Sequence, residues 1–545
     1  MSRSVFRARS LAALGGTAAV AIALTGCTAG DDGGNGGGGD DSIIVGTTDS
    51  VTSLDPAGSY DNGSFAVQNQ VFPFLLNTPY GSPDVEPDIA ESAEFTSPNQ
   101  YTVTLKEGLT WANGNELTSS DVKFTFDRQL AIADANGPSS LLGNLESVET
   151  PDETTVVFNL VNPNDQTFPQ VLSSPAGPIV DEDVFSATEL TPDQEIVDGN
   201  AFAGQYTITS WELNSLVEFT ANPDYQGLLG PAETENVLLS YYADSSNLRL
   251  DVETGEIDVA YRSLAPADIE DLRGNDDVNV VDGPGGEIRY IVWNFDTQPY
   301  GATTPEANAD QATAVRQAAA ALIDREQIAE QVYRGTFTPL YSFVPEGLTG
   351  ATTSFQELYG ENGGPSLDQA TQILADAGVT TPVTLNLQYS PDHYGPSSGD
   401  EYALVESQLE EGGLFDVNLQ STEWTQYSAD RTSDVYPVYQ LGWFPDYSDA
   451  DNYLTPFFFN SETTTAFLAQ HFDDPEINAL ISQQATTADA AERTAIIEQI
   501  QDRLAEIVPT IPLLQGAQVA VTGTDIEGVT LDPSFKFRFA PLTRS

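Results

Sequence analysis

Lysine, methionine, histidine and cysteine are almost missing from this 545-residue chain: three lysines (Lys106, Lys123 and Lys536), one methionine, two histidines and one cysteine. A single thiol cannot close an internal disulfide, and a cysteine nucleophile would need a base beside it. His393 and His471 stand far apart, so the histidines do not gather a metal site. Basic residues are scarce too, 19 against 82 acidic ones, for a formal net charge of −63. Nucleic acid and anionic membrane surfaces are poor partners for that charge. It reads as a solubilising shell suited to salty surroundings. No segment beyond the N-terminal leader has the long uncharged apolar run of a spanning helix, and no fixed-period repeat suggests a solenoid or propeller.

What is present begins with an address. Arg3, Arg7 and Arg9 precede an apolar run from Leu11 to Leu24 and then small residues, the layout of a secretory signal peptide. The end of that run, Leu24-Thr25-Gly26-Cys27, resembles the lipobox of bacterial lipoproteins, which implies cleavage after residue 26 and a lipid on Cys27. Residues 27–41, rich in Gly and Asp, read as a flexible tether spanning roughly 20 Å for about 15 residues. Cleavage would leave 519 residues, enough for roughly two to four domains. It would also remove three arginines and no acid, taking the net charge from −63 to −66.

Helical and strand periods alternate along the rest. Ile43–Val45 predicts a buried strand before the turn at Pro56, and Tyr101, Val103 and Leu105 alternate as in a half-buried strand. Ser119 or Ser120 is placed to cap a helix with Val122, Phe126 and Leu130 on one face. "YTITSWELNSLVEFTAN" predicts a hairpin, "GEIDVAYRSL" a strand after a short helix, and "VTLNLQYS" a strand before the helical "EYALVESQLEEGG". Val315, Ala318 and Leu322 line a helix, and Asp324 with Gln327 makes a capping pattern for the next, ended by Gly335. Ile497, Ile500, Leu504 and Ile507 form the stripe of a late helix stopped at Pro509.

Five blocks in order carry a resemblance: Leu54-Asp55-Pro56; "TLKEGLTWANGNELTSSDVKFTFDR"; "NPDY" at 222–225; "AVRQAAAALIDREQIAEQVYRG" at 314–335; and "GWFPDYSDADNY" at 442–453. They resemble the family 5 extracytoplasmic solute-binding proteins, the peptide, nickel and opine group that feeds ABC importers. Trp111-Ala112 and Gln205 before Tyr206 depart from the family pattern at positions that look structural. The resemblance implies an α/β, two-lobe periplasmic-binding-protein-like fold (type II, large cluster C type) with a hinge between the lobes. Lobe I would hold residues 42–295 plus 511–545, with an inserted subdomain at about 77–202, and lobe II residues 296–510. It implies a monomer on the extracytoplasmic face of the bacterial cell membrane, held only through its lipid, with ABC importer permease subunits as partners and no cofactor.

Residues 442–453 place Trp443, Phe444, Tyr447 and Tyr453 among Asp446, Asp449 and Asp451. Rings and carboxylates together suit a ligand with an apolar body and a positive end. The three aspartates lack the glycine turn and ligand spacing of a calcium loop, so no metal is expected. In peptide-binding family members an aspartate at the place of Asp446 meets the peptide α-amino group while nearby main chain pairs with the ligand. The resemblance therefore implies Asp446 as anchor, with Trp443, Tyr447 and Tyr439 as further ligand contacts and Thr48 and Asp49 on the facing edge. A turn capped by Asp446 after Pro445 is the alternative reading of the same residues. Two other functions stay open: binding of an oligosaccharide or glycoside, whose rings stack on aromatics, and a secreted serine hydrolase. The latter rests on Gly395–Gly399, a G-x-S-x-G spacing centred on Ser397, with His471 as the downstream base; Pro391 and Pro396 interrupt the strand-to-helix elbow it needs.

Overall fold

The computed structural model describes residues 42–545 apart from 362, 396, 461–467, 532, 534 and 535. The expected signal peptide (residues 1–26), Cys27, the expected tether and Pro396 lie outside the described residues. Among the described residues no helix is long and apolar enough to cross a membrane.

Two large sheets organise the chain. In the first, seven strands run in the order Val278–Gly283, Gln518–Gly523, Val259–Tyr261, Ile43–Thr47, Asn236–Tyr241, Leu216–Ala221 and Tyr206–Glu212. Ile43–Thr47 lies parallel to both neighbours, Val259–Tyr261 and Asn236–Tyr241. In the second, six strands run Phe337–Pro339, Thr510–Gly516, Ile288–Trp293, Val438–Trp443, Val383–Tyr389 and Phe415–Ser421. A four-stranded antiparallel sheet made within residues 90–160 has a separate core drawn from Leu75 to Ala203, which Tyr447 joins.

The backbone passes between the large sheets twice, at residues 284–287 and at Ala517. Strands Ile288–Trp293 and Thr510–Gly516 therefore pair with each other in the second sheet, where the expected boundaries at 295 and 511 assign nearly all of both to the first lobe. The physical reason is pairing: a strand follows the ladder that satisfies its backbone, and the second core takes in both strands, with Ile288 and Leu514 fully buried. The crossings touch. A Cβ on Gly285 would sit 1.5 Å from the Gly516 carbonyl oxygen, so only glycine permits the approach.

Local expectations fare well where periodicity is clear. Residues 101–105, the 206–221 hairpin and strand Val383–Tyr389 form as predicted. Asp324 accepts a hydrogen bond from the Gln327 N–H at the start of helix Arg325–Gln331. Helix Ser119–Ile132 is capped instead by Thr118, which forms a reciprocal capping box with Asp121. Its Val122 and Phe126 are buried, but Leu130, in the last turn of the helix, is 39 % exposed.

The Leu54-Asp55-Pro56 motif has a structural task. Asp55, fully buried, accepts from Arg128 Nη1 at 2.8 Å, from the Ala57 N–H at 3.0 Å and from the Thr191 N–H at 2.7 Å. A desolvated charge is tolerable only with such complete pairing. Gln205, one departure from the family pattern, is buried and donates to Tyr80 Oη and the Gly230 carbonyl.

Candidate ligand-binding site

Parallel strands expose their carboxyl ends as a crevice where ligands settle. Here the segments after Ile43–Thr47, Val259–Tyr261, Val383–Tyr389 and Val438–Trp443 converge there and line a cavity of about 460 Å³, within the range of small-ligand sites. Antiparallel pairing of Ile288–Trp293 with Val438–Trp443 sets Arg289 opposite Gly442, which brings Glu287 and Arg289 to the same end.

The walls alternate charge and ring. Asp49 Oδ2 lies 3.2 Å from Arg262 Nε. Arg262 and Ser263 take left-handed φ values of 59° and 65°, a strained pair for non-glycine residues, at the point where the chain turns along the cavity. Glu287 pairs with Arg289. Arg289 stands under three rings, 4.8 Å from the centroid of Tyr394, 5.6 Å from Phe337 and 5.7 Å from Phe444. Arg262 lies 5.5 Å from the same Phe444 ring. His393 stacks on Trp424 at 3.6 Å; burial, helped by the charge of Arg289, pushes its imidazole down to about 4, so it is neutral at pH 7.

Of the expected contacts, Thr48 and Asp49 line this cavity. Trp443 does not: its Nε1 donates to Asn452 Oδ1 at 2.9 Å and its ring meets Phe457 edge-on. Tyr447 is buried against the core of the 75–203 region. Tyr439 is not among the lining residues: at 0 % exposure it belongs to the core of the second sheet, and its hydroxyl donates to the Leu468 carbonyl. Strand Val438–Trp443 is covered on both faces, which alternation alone does not reveal.

Asp446 is not among the lining residues either, though Phe444 two residues before it is, and it is held rather than free. Its Oδ2 accepts from Asn452 Nδ2 at 3.0 Å, its N–H donates to Asn452 Oδ1 at 2.9 Å, and its Oδ1 accepts from the Tyr60 hydroxyl. Tyr60 sits 386 residues earlier and is 40 % exposed. Burial raises the Asp446 carboxyl above its ordinary range, while the bonds from Asn452 and Tyr60 pull it back. The neighbouring acids face other partners: Asp449 takes a bidentate pair from Arg493 at 2.7 Å, and Asp451 accepts from Thr455 and Gln484. They do not converge on one point, and no acid or histidine cluster among the described residues has metal-binding geometry.

Ser397 lines the cavity near His393, but no hydrogen bond among the described residues joins it to either histidine. His471 instead meets Asp434, Nε2 to Oδ1 at 2.6 Å. Among the described residues Ser397 is thus not hydrogen-bonded to a histidine base of the kind that activates a serine nucleophile.

The sequence reading passed over Arg262, Glu287, Arg289 and Asp392. One signal was available: Arg289 is a lone charge inside the apolar run of Ile288–Trp293, all of it buried. A charge in such a run has to be paired or line a site.

Two α/β units joined by two crossings, with a cavity at the ends of their strands, define a two-lobed binding protein. The sequence matches the family Bacterial extracellular solute-binding proteins, family 5 Middle, over residues 84–465, and the chain belongs to that family. It is 24 % identical to the dipeptide-binding protein DppE of Bacillus subtilis (strain 168) over 559 aligned positions, covering 97 % of each chain. Among solved structures, HbpA2 from Haemophilus parasuis superposes with a TM-score of 0.77 at 21 % identity, covering 93 % of this chain and 100 % of that one. A dipeptide-binding protein from Pseudoalteromonas sp. SM9913 in complex with Met-Leu gives 0.71 at 20 % identity, covering 92 % and 100 %.

Proposed function

We propose that this chain captures an oligopeptide between its two lobes and hands it to the permease subunits of an ABC importer, without chemistry on the ligand. The observation that carries the reading is the cavity at the strand ends, walled by rings and paired charges, in a family whose relatives include peptide-binding proteins. Main-chain pairing suits any extended peptide, and a fixed carboxylate sets its register. Asp446 is the proposed anchor: the peptide ammonium takes the place of the Tyr60 hydroxyl, while Asn452 keeps the carboxylate oriented.

The lobes in this account divide at residues 284–287 and 517, the two crossings serving as the hinge. The chain works as a monomer on the outer face of the cell membrane, held by a lipid on Cys27 after removal of residues 1–26, with 27–41 as tether. Small-angle scattering of the protein with and without a tripeptide library tests the capture step. Ligand shifts an open form toward a closed one in proportion to its extra affinity for that form. Compaction on adding peptide is expected. Unchanged curves with bound peptide would refute hinge closure, and no binding would refute the peptide assignment.

A further inference from the structure

The Arg289 guanidinium is 3 % exposed and lines the cavity, yet its donors are only partly used. Nη2 meets Glu287 and donates to the Tyr394 carbonyl at 3.2 Å, while Nε and Nη1 have no hydrogen-bond partner among the described residues. A guanidinium carries five N–H donors and cannot shed its charge, so unmade bonds in a dry site are costly. The structure nonetheless holds it there by other means. Tyr394, Phe337 and Phe444 attract the cation through their faces, an interaction that leaves in-plane N–H groups available. Gly442 makes room for it: a Cβ at that position would stand 2.7 Å from Nη1.

The unfilled donors of Arg289 call for an anion. Arg262 flanks the same Phe444 ring, so two guanidinium groups border one aromatic surface. Their charges are balanced by Asp49 and Glu287, each engaged with its own arginine. Asp392, the third acid on the wall, accepts from the Ser390 hydroxyl and the Trp424 N–H. A cationic ligand group would have to break one of the two arginine pairs or settle on the exposed Asp392. A carboxylate needs to break none and supplies the acceptors Arg289 lacks.

We propose that Arg289 is the anion-recognising residue of the cavity, and that the captured peptide presents a carboxylate to its Nε and Nη1 donors. This rests on the peptide reading above. The carboxylate comes from the peptide C-terminus or from an acidic side chain, the same chemistry from two sources.

The test compares three probes by native mass spectrometry of the full chain: an Ala-X-Ala tripeptide library with free C-termini, the same library amidated, and amidated Ala-Glu-Ala alone. Wild type should favour the free acids over the amides by about tenfold or more, and Arg289→Met should bring that ratio to within about twofold. Retention of amidated Ala-Glu-Ala, lost in Arg289→Met, assigns the carboxylate to a side chain and equally supports the inference. Glu287→Gln, a change on the cavity wall itself, should widen the acid preference by releasing Nη2; it decides the matter if Arg289→Met does not fold, and an unwidened ratio then refutes the proposal. Libraries that bind wild type with no dependence on Arg289 overturn this inference and leave the peptide reading standing. Libraries that do not bind at all overturn both.

Discussion

Replacing Asp446 by Asn probes the proposed ammonium anchor, and the structure sets the size of the effect. Before ligand arrives the carboxylate already accepts from Tyr60 and Asn452. The ammonium displaces only the hydroxyl, so the gain is the difference between an ion-paired bond and a hydroxyl bond, about 1–2 kcal/mol. Asp446→Asn should therefore weaken a free-amine tripeptide by about five- to thirty-fold. N-acetylating the peptide removes the other half of the same contact and should cost wild type a similar factor. The mutant should then barely distinguish acetylated from free peptide, because neither retains the pair. Tyr60→Phe removes the competing donor and should tighten the free amine by up to about tenfold. Isothermal titration calorimetry on the four protein–peptide combinations gives the coupling energy. Additive losses would show that Asp446 shapes the turn after Pro445 and anchors nothing.

Glu401 supplies a pH prediction. It is fully buried, and burial raises its carboxyl to about 7 despite the Tyr333 hydroxyl bond and the charge of Arg289. A folded-state value above the unfolded one means that the folded protein holds the extra proton, so stability falls as pH rises from about 4.5 to 7. Glu401→Gln should thus be more stable than wild type at pH 8, by on the order of 3 kcal/mol, and lose that advantage by pH 4, as read by denaturant unfolding; a pH-independent difference would refute this. Arg128→Ala should cost about 3–5 kcal/mol by stranding the Asp55 carboxylate, and a loss below about 1 kcal/mol would show that the pair is dispensable. Cys27→Ser should release the protein into the medium, since one lipid is its proposed hold on the membrane; continued membrane association in high salt would contradict the anchor.

Much of the fold was legible because it is written in short periods. Alternation at residues 101–105 and the hairpin of 206–221 need only neighbours in sequence, and five blocks in family order set the architecture. The site was less legible. Thr48 and Asp49 reach the cavity, but Arg262, Glu287, Arg289, Asp392 and Phe444 meet there through the register of two sheets, such as Arg289 opposite Gly442. No local pattern encodes that register. Tyr439 lies in the core and off the cavity wall, and a strand buried on both faces gives no sign of which face looks on a ligand. The crossing at 284–287 did carry a compositional mark, Gly283-Pro284-Gly285-Gly286: Gly285 closes on Gly516, while a Cβ on Gly283 would meet Leu531 and one on Gly286 would meet Pro445 and Tyr453.

The central claim, capture of a peptide in the cavity between the two sheets, is tested most directly by native mass spectrometry of the protein purified from its own cells. The account predicts a carried-over adduct that fragments as a peptide, and that exchanges for free tripeptide. An adduct that fragments as a sugar or other non-peptide, and that tripeptides do not displace, would contradict it.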